Sequence, residues 1–204
     1  MDIRVGICLL REIDGRNRRH LLLHEQQRAP VKGLDHDAVG ELLPSQQVEH
    51  HRHELLRQEQ FSDRVMIQSF DWSTLLLVQK QAPTIPTVYL TQQAEPAANI
   101  YRDKPSRWTA GFDPQDHGGS VPRTVKAAGG AIWSPDYRDV DARSISEAHR
   151  LGLPVIVWTV NRPQDMAQLI GRGVDGIISD RPDLLRTEAA KKGIPLPAPA
   201  PVSP

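Results

Sequence analysis

The sequence contains a single cysteine, Cys8, among 204 residues. One thiol cannot form an intramolecular disulfide, and it excludes a zinc site built from several cysteines. Positive and negative side chains number 25 each, so the net charge is zero and the strongly basic surface of a nucleic-acid-binding protein is missing. Apolar runs stay below the roughly 18 residues that a membrane-spanning helix needs. These absences predict a soluble protein with neither a transmembrane segment nor a nucleic-acid partner.

The first residues give no convincing signal peptide, because the apolar run that follows Met1 is too short. The expected location is therefore the cytoplasm by default, unless the true N-terminus, with any signal, is missing from this sequence.

Residues 1–60 differ in composition from the rest of the chain. They hold six of the eight histidines, and their apolar residues occur in short clusters without a sustained period. This pattern predicts a polar, poorly packed and partly disordered segment. His50, His51 and His53 admit two interpretations: a metal site on one helical face, or a solvated polar helix. The solvated helix is favoured, because metal ligands are normally held by packed neighbours. His36 and its neighbour Asp37 lack an apolar strand to orient them.

From Phe61 onward, strand and helix patterns alternate. About five apolar, β-branched runs predict strands, and they lie at 65–70, 87–90, 131–133, 154–160 and 176–179. Helices are predicted after the first strand, after a cap at Ser120, after a cap at Asp141 and from Pro163, the last of them stopped by Gly171 and Gly173. Alternating strands and helices predict an α/β fold with a parallel sheet.

Polar residues cluster where the last two predicted strands end, the edge at which α/β folds carry their chemistry. Asn161 either donates a hydrogen bond to a substrate or caps the following helix. Asp180 either reaches a substrate or an arginine, or caps a helix ahead of Pro182. Arg181 either neutralises a phosphate or is an ordinary surface arginine. His117, in a long connection at 91–119, is either a ligand or acid, or simply solvated.

Two motifs in the expected order resemble the glycerophosphodiester phosphodiesterase family. The first is Ile67-Gln68-Ser69-Phe70-Asp71, and the second joins Trp158-Thr159-Val160-Asn161 to Gly173-Val174-Asp175-Gly176-Ile177-Ile178-Ser179-Asp180-Arg181-Pro182. The resemblance covers about residues 61–193. It implies a TIM-barrel hydrolase in which Phe70 and Trp158 line the substrate pocket. For Phe70 the alternative is ordinary packing in the core.

The resemblance also implies an activity. The family hydrolyses a phosphodiester to an alcohol and glycerol 3-phosphate, in lipid and glycerophospholipid metabolism, with a divalent metal such as Mg²⁺ or Ca²⁺. The implied partner is a small-molecule glycerophosphodiester. The family's His-Arg-Gly, Pro-Glu-Asn-Thr, Glu-x-Asp and Glu-x-Lys motifs are not found in residues 1–60, so no catalytic residue and no metal ligand is assigned.

A chain of 204 residues is short for a TIM barrel, which typically needs about 250. We therefore expect residues 61–193 to form the C-terminal half of such a barrel, with an unmatched segment at 1–60 and a proline-rich tail at 194–204. The family member would be truncated and impaired, and it would self-associate through open sheet edges. The alternative is an inactive half-barrel or a ligand-binding module. A reading-frame error ahead of Phe61 would produce the same pattern.

Overall fold

The strands form where apolar, β-branched runs occur in the sequence. The computed structural model describes residues 65–196 and the backbone of two short strands nearer the N-terminus. The described strands are β1 (Ile7–Leu10), β2 (Leu21–Leu23), β3 (Val65–Ser69), β4 (Thr87–Thr91), β5 (Ile132–Pro135), β6 (Ile156–Val157) and β7 (Gly176–Ser179).

Neighbouring strands follow the order of the chain from β2 to β7. Strands β2 to β5 are parallel and hydrogen-bonded in sequence order, and β6 pairs in parallel with β7. Two parallel bridges, Trp133 with Val155 and Asp136 with Trp158, join β5 to β6. Strand β1 adds to β7 in the antiparallel direction. Consecutive parallel strands with helices between them confirm the predicted α/β class.

Helices follow β3 to β7, one after each strand. They are α1 (Trp72–Gln81), α2 (Val121–Ala127), α3 (Ala142–Arg150), α4 (Pro163–Arg172) and α5 (Pro182–Lys191). The predicted caps are confirmed: the Ser120 side chain accepts from Arg123 N, and Asp141 forms a reciprocal capping box with Ser144. Gly171 does not stop α4, since the helix continues to Arg172 and ends at Gly173, whose φ of 88° suits a glycine.

The two faces of the sheet carry different apolar clusters, because alternate strand residues point to opposite sides. The larger cluster lies between sheet and helices and includes Tyr89 and Trp133. The smaller one occupies the opposite, interior face and consists of Met66, Val88, Ile132 and Ile156, with Ile178 packed against them. The interior face is the one whose carboxyl-terminal end can form a pocket.

Several expectations fall outside this description. Apart from the backbone of β1 and β2, residues 1–60 lie outside the described residues, and with them His36, Asp37 and the cluster His50, His51 and His53. The same holds for 197–204 of the proline-rich tail. No helix in the described part of the chain is long and apolar enough to cross a membrane.

Candidate functional site

Phe70 and Trp158 meet at the carboxyl-terminal edge of the sheet, as expected from the sequence. Their rings pack edge to face, with centroids 5.3 Å apart and planes at 87°. Phe70 follows β3 and Trp158 follows β6, each an even number of residues from an interior-face residue, Met66 or Ile156. Both rings are half-buried. The pair therefore presents a partly exposed apolar surface on the interior side of the sheet.

The indole N–H of Trp158 is already used within the protein. Its Nε1 donates to the carbonyl oxygen of Ser134 at 2.8 Å. This hydrogen bond joins the ends of β5 and β6 and fixes the indole plane. A ligand would therefore meet the ring surface of Trp158, because its donor is satisfied.

Asn161 connects the loop after β6 to the end of β7. Its Nδ2 donates to Asp180 Oδ2 at 2.9 Å, and its Oδ1 accepts from Asp180 N at 2.9 Å and from Ser179 Oγ at 3.2 Å. Neither Asn161 nor Asp180 caps a helix: the cap positions of α4 and α5 are Arg162 and Arg181, and neither makes a side-chain cap bond. The helix-cap interpretation of both residues is therefore wrong.

An ion pair between the buried Asp136 and the exposed Arg138 lies beside Trp158 at the end of β5. Asp136 accepts from Arg138 Nε at 2.9 Å and from Nη2 at 2.7 Å, and the backbone N–H of Arg138 adds a third bond at 2.9 Å. The hydrogen bonds and charge of Asp136 raise the pKa of Arg138 above its already high normal value. Sequence reasoning missed this pair, although an acidic residue directly after an apolar strand was a usable signal.

Asn99 ties the long connection after β4 to the same edge. Its Nδ2 donates to the carbonyl oxygens of Phe70 and Leu90, both at 3.0 Å, and its Oδ1 accepts from Gln92 N at 2.8 Å. The side chain is buried, and all these bonds reach backbone groups at the ends of β3 and β4. Asn99 thereby fixes the backbone that carries the Phe70 ring.

A second carboxylate of the β5 loop, Asp139, is half-buried near the same edge. Burial raises the pKa of Asp139, and the backbone N–H of Gln93, which donates to its Oδ2 at 2.8 Å, partly offsets that effect. This contact joins the loops that follow β4 and β5.

Two further candidates lie apart from the aromatic pair. Arg181 forms an exposed fork with Asp183, with Nε–Oδ1 at 3.0 Å and Nη2–Oδ2 at 2.7 Å. His117 ends a short 3₁₀ helix, Pro114–His117, in the long connection. Among the described contacts, none joins either side chain to Phe70 or Trp158.

The resemblance implies a divalent metal, which is normally held by several oxygen ligands. Between residues 65 and 196, no three His, Cys, Asp or Glu side chains converge so that they could hold one. The carboxylates at the sheet edge have other partners: Asp71 accepts from Ser73, Asp136 from Arg138 and Asp180 from Asn161. The donor set of the described residues therefore does not fit a resident cation.

Comparison with known proteins identifies relatives of this chain. The model of the glycerophosphoryl diester phosphodiesterase family matches residues 37–184, so the match includes 37–60, where the motifs alone give no resemblance. A glycerophosphodiester phosphodiesterase of Bacillus subtilis is 25% identical over 193 residues, which cover 94% of this chain and 56% of that protein. One from Caldanaerobacter subterraneus is 26% identical over 140 residues, covering 68% and 47%. The chain spans about half the length of these curated relatives.

Solved structures share the fold. A candidate glycerophosphoryl diester phosphodiesterase from Silicibacter pomeroyi superposes with a TM-score of 0.62 and 33% identity, covering 73% of this chain and 45% of that one. A phosphodiesterase of Oleispira antarctica, solved in complex with the product sn-glycerol-3-phosphate, gives a TM-score of 0.54 and 17% identity over 71% of this chain and 50% of that one. The family match extends over more than half of the sequence and agrees with the fold and with both motifs. This chain therefore belongs to the glycerophosphoryl diester phosphodiesterase family.

Proposed function

We propose that this protein acts on glycerophosphodiesters, and that Phe70, Trp158 and Asn161 bind the substrate. The observation that carries the proposal is the edge-to-face contact of Phe70 with Trp158 at the carboxyl-terminal edge of the sheet. The reaction is the one typical of the family, hydrolysis of a phosphodiester to an alcohol and glycerol 3-phosphate. The product-bound phosphodiesterase of Oleispira antarctica supports a ligand of this size.

The aromatic pair suits the carbon backbone of a glycerol moiety. Glycerol is polar at its hydroxyls but presents C–H groups between them, and an aromatic ring offers an apolar surface that removes those groups from water. The Trp158 indole is held by Ser134 and the Phe70 backbone by Asn99, so the surface exists before the ligand arrives. Preorganisation of this kind lowers the entropic cost of binding.

Asn161 supplies the complementary polar contact. Its Oδ1 accepts two hydrogen bonds within the protein, while Nδ2 donates one of its two N–H groups to Asp180. The second N–H is available to a glycerol or phosphate oxygen. Asp180, oriented by Asn161 and exposed to solvent, has a carboxylate oxygen that can accept from a glycerol hydroxyl. Together these side chains bind and orient a ligand.

A second function is binding without turnover. It is favoured because the carboxylates at the edge of the sheet bond to other protein groups. In the described residues they do not converge on a point where they could hold a metal ion. In this form the five parallel strands of 61–193 would be the C-terminal half of a barrel, with β2 paired to β3, β1 paired to β7, and 194–204 as a proline-rich tail. Self-association through sheet edges would accompany it.

Binding and release assays on the full chain separate the two functions. We expect the 204-residue chain to bind glycerophosphocholine in titration calorimetry, and Trp158→Ala to weaken binding at least about tenfold. Trp158→Phe retains an aromatic surface and should weaken it less. Hydrolysis predicts release of glycerol 3-phosphate that depends on Mg²⁺ or Ca²⁺, whereas binding without turnover predicts no measurable release with or without these ions.

The outcomes are distinct. Metal-dependent release that Trp158→Ala abolishes would show a working hydrolytic site and reject the function without turnover. Failure of the full chain to bind any glycerophosphodiester would reject both functions.

A further inference from the structure

The Asp136–Arg138 pair has an arrangement that differs from an ordinary surface ion pair. The Asp136 side chain is 4% exposed, whereas that of Arg138 is 65% exposed. The carboxylate is thus inside the protein and the cation outside it. Because the partner is buried and accepts three hydrogen bonds, the guanidinium is held in one orientation with its outer edge toward solvent.

The backbone that carries this ion pair lies next to Trp158. Asp136 and Trp158 are bridge partners on adjacent parallel strands, and Tyr137 N donates to Trp158 O at 3.0 Å. Asp136 is an even number of residues from Ile132, as Trp158 is from Ile156, so both side chains belong to the interior side of the sheet. Bridge partners in a sheet lie about 5 Å apart. Arg138 is therefore a cation held by Asp136 at the strand end that neighbours Trp158.

We propose that Arg138 binds the phosphate group of the ligand, with Asp136 as its positioning residue. This assignment rests on the proposed function, since it places a phosphate beside the glycerol-sized surface. Arg138 uses Nε and Nη2 for Asp136, its guanidinium lies 5.4 Å from the centroid of the Tyr137 ring, and no hydrogen bond within the described residues involves Nη1. The two N–H groups of Nη1 match the geometry of phosphate oxygens, for which arginine is well suited.

Arg181 provides an internal comparison. Its fork with Asp183 has nearly the same bond lengths, but Asp183 is 60% exposed and Arg181 is 53% exposed. A pair in water on both sides is held weakly, and both partners are free to rearrange. Trp158 has a bridge to Asp136, whereas no such bridge joins it to Asp183. Arg138 and Arg181 therefore make the same kind of ion pair, but only Arg138 is held by a buried carboxylate beside Trp158.

The test is titration calorimetry of the full chain with glycerol 3-phosphate, glycerophosphocholine and inorganic phosphate. Arg138→Gln should weaken binding of glycerol 3-phosphate at least about tenfold, and Arg181→Gln, the matched control, less than about twofold. Arg138→Lys keeps the charge without the fork and should recover part of the loss. Wild-type affinity should fall more steeply with added salt than that of Arg138→Gln, which a purely structural role would not produce.

Arg138→Gln leaves the buried Asp136 carboxylate unpaired and can prevent folding. The double variant Asp136→Asn with Arg138→Gln removes that charge and keeps an acceptor for the backbone N–H of residue 138, so it serves as the second test with the same expected loss.

Each outcome decides between the assignments. If the wild type binds glycerophosphodiesters and the Arg138 variants bind them equally well, or if Arg181→Gln causes the same loss, the Arg138 assignment is overturned and the proposed function stands. If inorganic phosphate binds in an Arg138-dependent way but glycerophosphodiesters do not bind, the proposed function fails and the Arg138 assignment stands. If no ligand binds, both are overturned.

Discussion

The Phe70 ring packs edge to face against the Trp158 indole, with a centroid distance of 5.3 Å. The two residues follow β3 and β6, with β4 and β5 between them in the order of neighbouring strands. A contact across that span requires the sheet to curve toward its interior face. The expectation that both aromatic residues share one edge is confirmed by this contact.

We predict that Phe70 and Trp158 stabilise the fold cooperatively. Aromatic pairs in this geometry contribute about 0.5–1.5 kcal/mol beyond the area they bury. A double-mutant cycle with Phe70→Leu and Trp158→Leu, measured by urea unfolding, should give a coupling energy in that range. Additive effects of the two substitutions would show that the rings touch without a specific interaction.

Replacement of Asn161 by aspartate should make the free energy of unfolding depend on pH. The new carboxylate would face Asp180, whose Oδ2 lies 2.9 Å from the present Asn161 Nδ2. Two adjacent carboxylates raise the folded-state pKa of the pair above the unfolded value of about 3.9. Below that pH Asn161→Asp should be nearly as stable as the wild type, and stability should fall as pH rises through the raised pKa.

Unfolding of Asn161→Asp by urea at about pH 3.5 and pH 7 measures this difference. Adding Asp180→Asn should restore stability at neutral pH, because only one carboxylate remains. A difference from the wild type that is the same at both pH values would contradict the prediction.

Tyr89 should remain protonated to unusually high pH. Burial raises the pKa of Tyr89 to about 12, and the hydrogen bond from Gln79 lowers it only in part. Its hydroxyl donates to Ala128 O at 2.8 Å. The contribution of the neutral Tyr89 phenol to the free energy of unfolding is fully present below the unfolded-state pKa of about 10. It is lost as pH rises toward the folded-state pKa of about 12. Phenolate absorbance should show this late titration, and Tyr89→Phe should remove it.

The Tyr89→Phe variant should also lose about 1–2 kcal/mol, since the Ala128 carbonyl loses its buried donor. A titration curve that Tyr89→Phe leaves unchanged would reject the assignment of the late step.

The Asp141 cap of α3 should contribute about 1 kcal/mol at neutral pH. Hydrogen bonds from Ser144, backbone first and side chain second, lower the pKa of Asp141. This contribution is present above the unfolded pKa of about 3.9 and is lost as pH falls through the lower folded value. Asp141→Ala should therefore be less stable than the wild type at pH 7, by urea unfolding, and the difference should shrink in acid. Asp141→Asn, an equally good cap, is the control.

Local signals were sufficient for the elements of the C-terminal part. Apolar β-branched runs located the strands, and Ser120, Asp141 and Pro163 marked where helices begin, because caps and proline act within one turn of the chain. Gly171 was misread as a helix end, since a glycine in a helix costs only about 1 kcal/mol and packing outweighs it.

Only part of the site could be predicted from the sequence. Residues 70 and 158 could be placed at one edge because parallel strands share their carboxyl ends and because the motifs resemble a known family. Asn161 could not be distinguished from a helix cap, since its real partners, Ser179 and Asp180, lie on the next strand. The spacing of these residues in the sequence does not give the distance from Asn161 to Ser179 and Asp180, because that distance depends on the strand register.

By itself the sequence determined the α/β class, the order of the elements and the family, because strand and helix periods and short motifs are encoded locally. Tertiary structure alone decided which polar groups are already satisfied. In the folded chain Asp136 is buried beneath Arg138, the Trp158 indole N–H donates to the Ser134 carbonyl, and Arg181 is exposed to solvent. The physical reason is that a side chain's charge, exposure and free donors depend on neighbours brought close only when the sheet curves and its strands take their register.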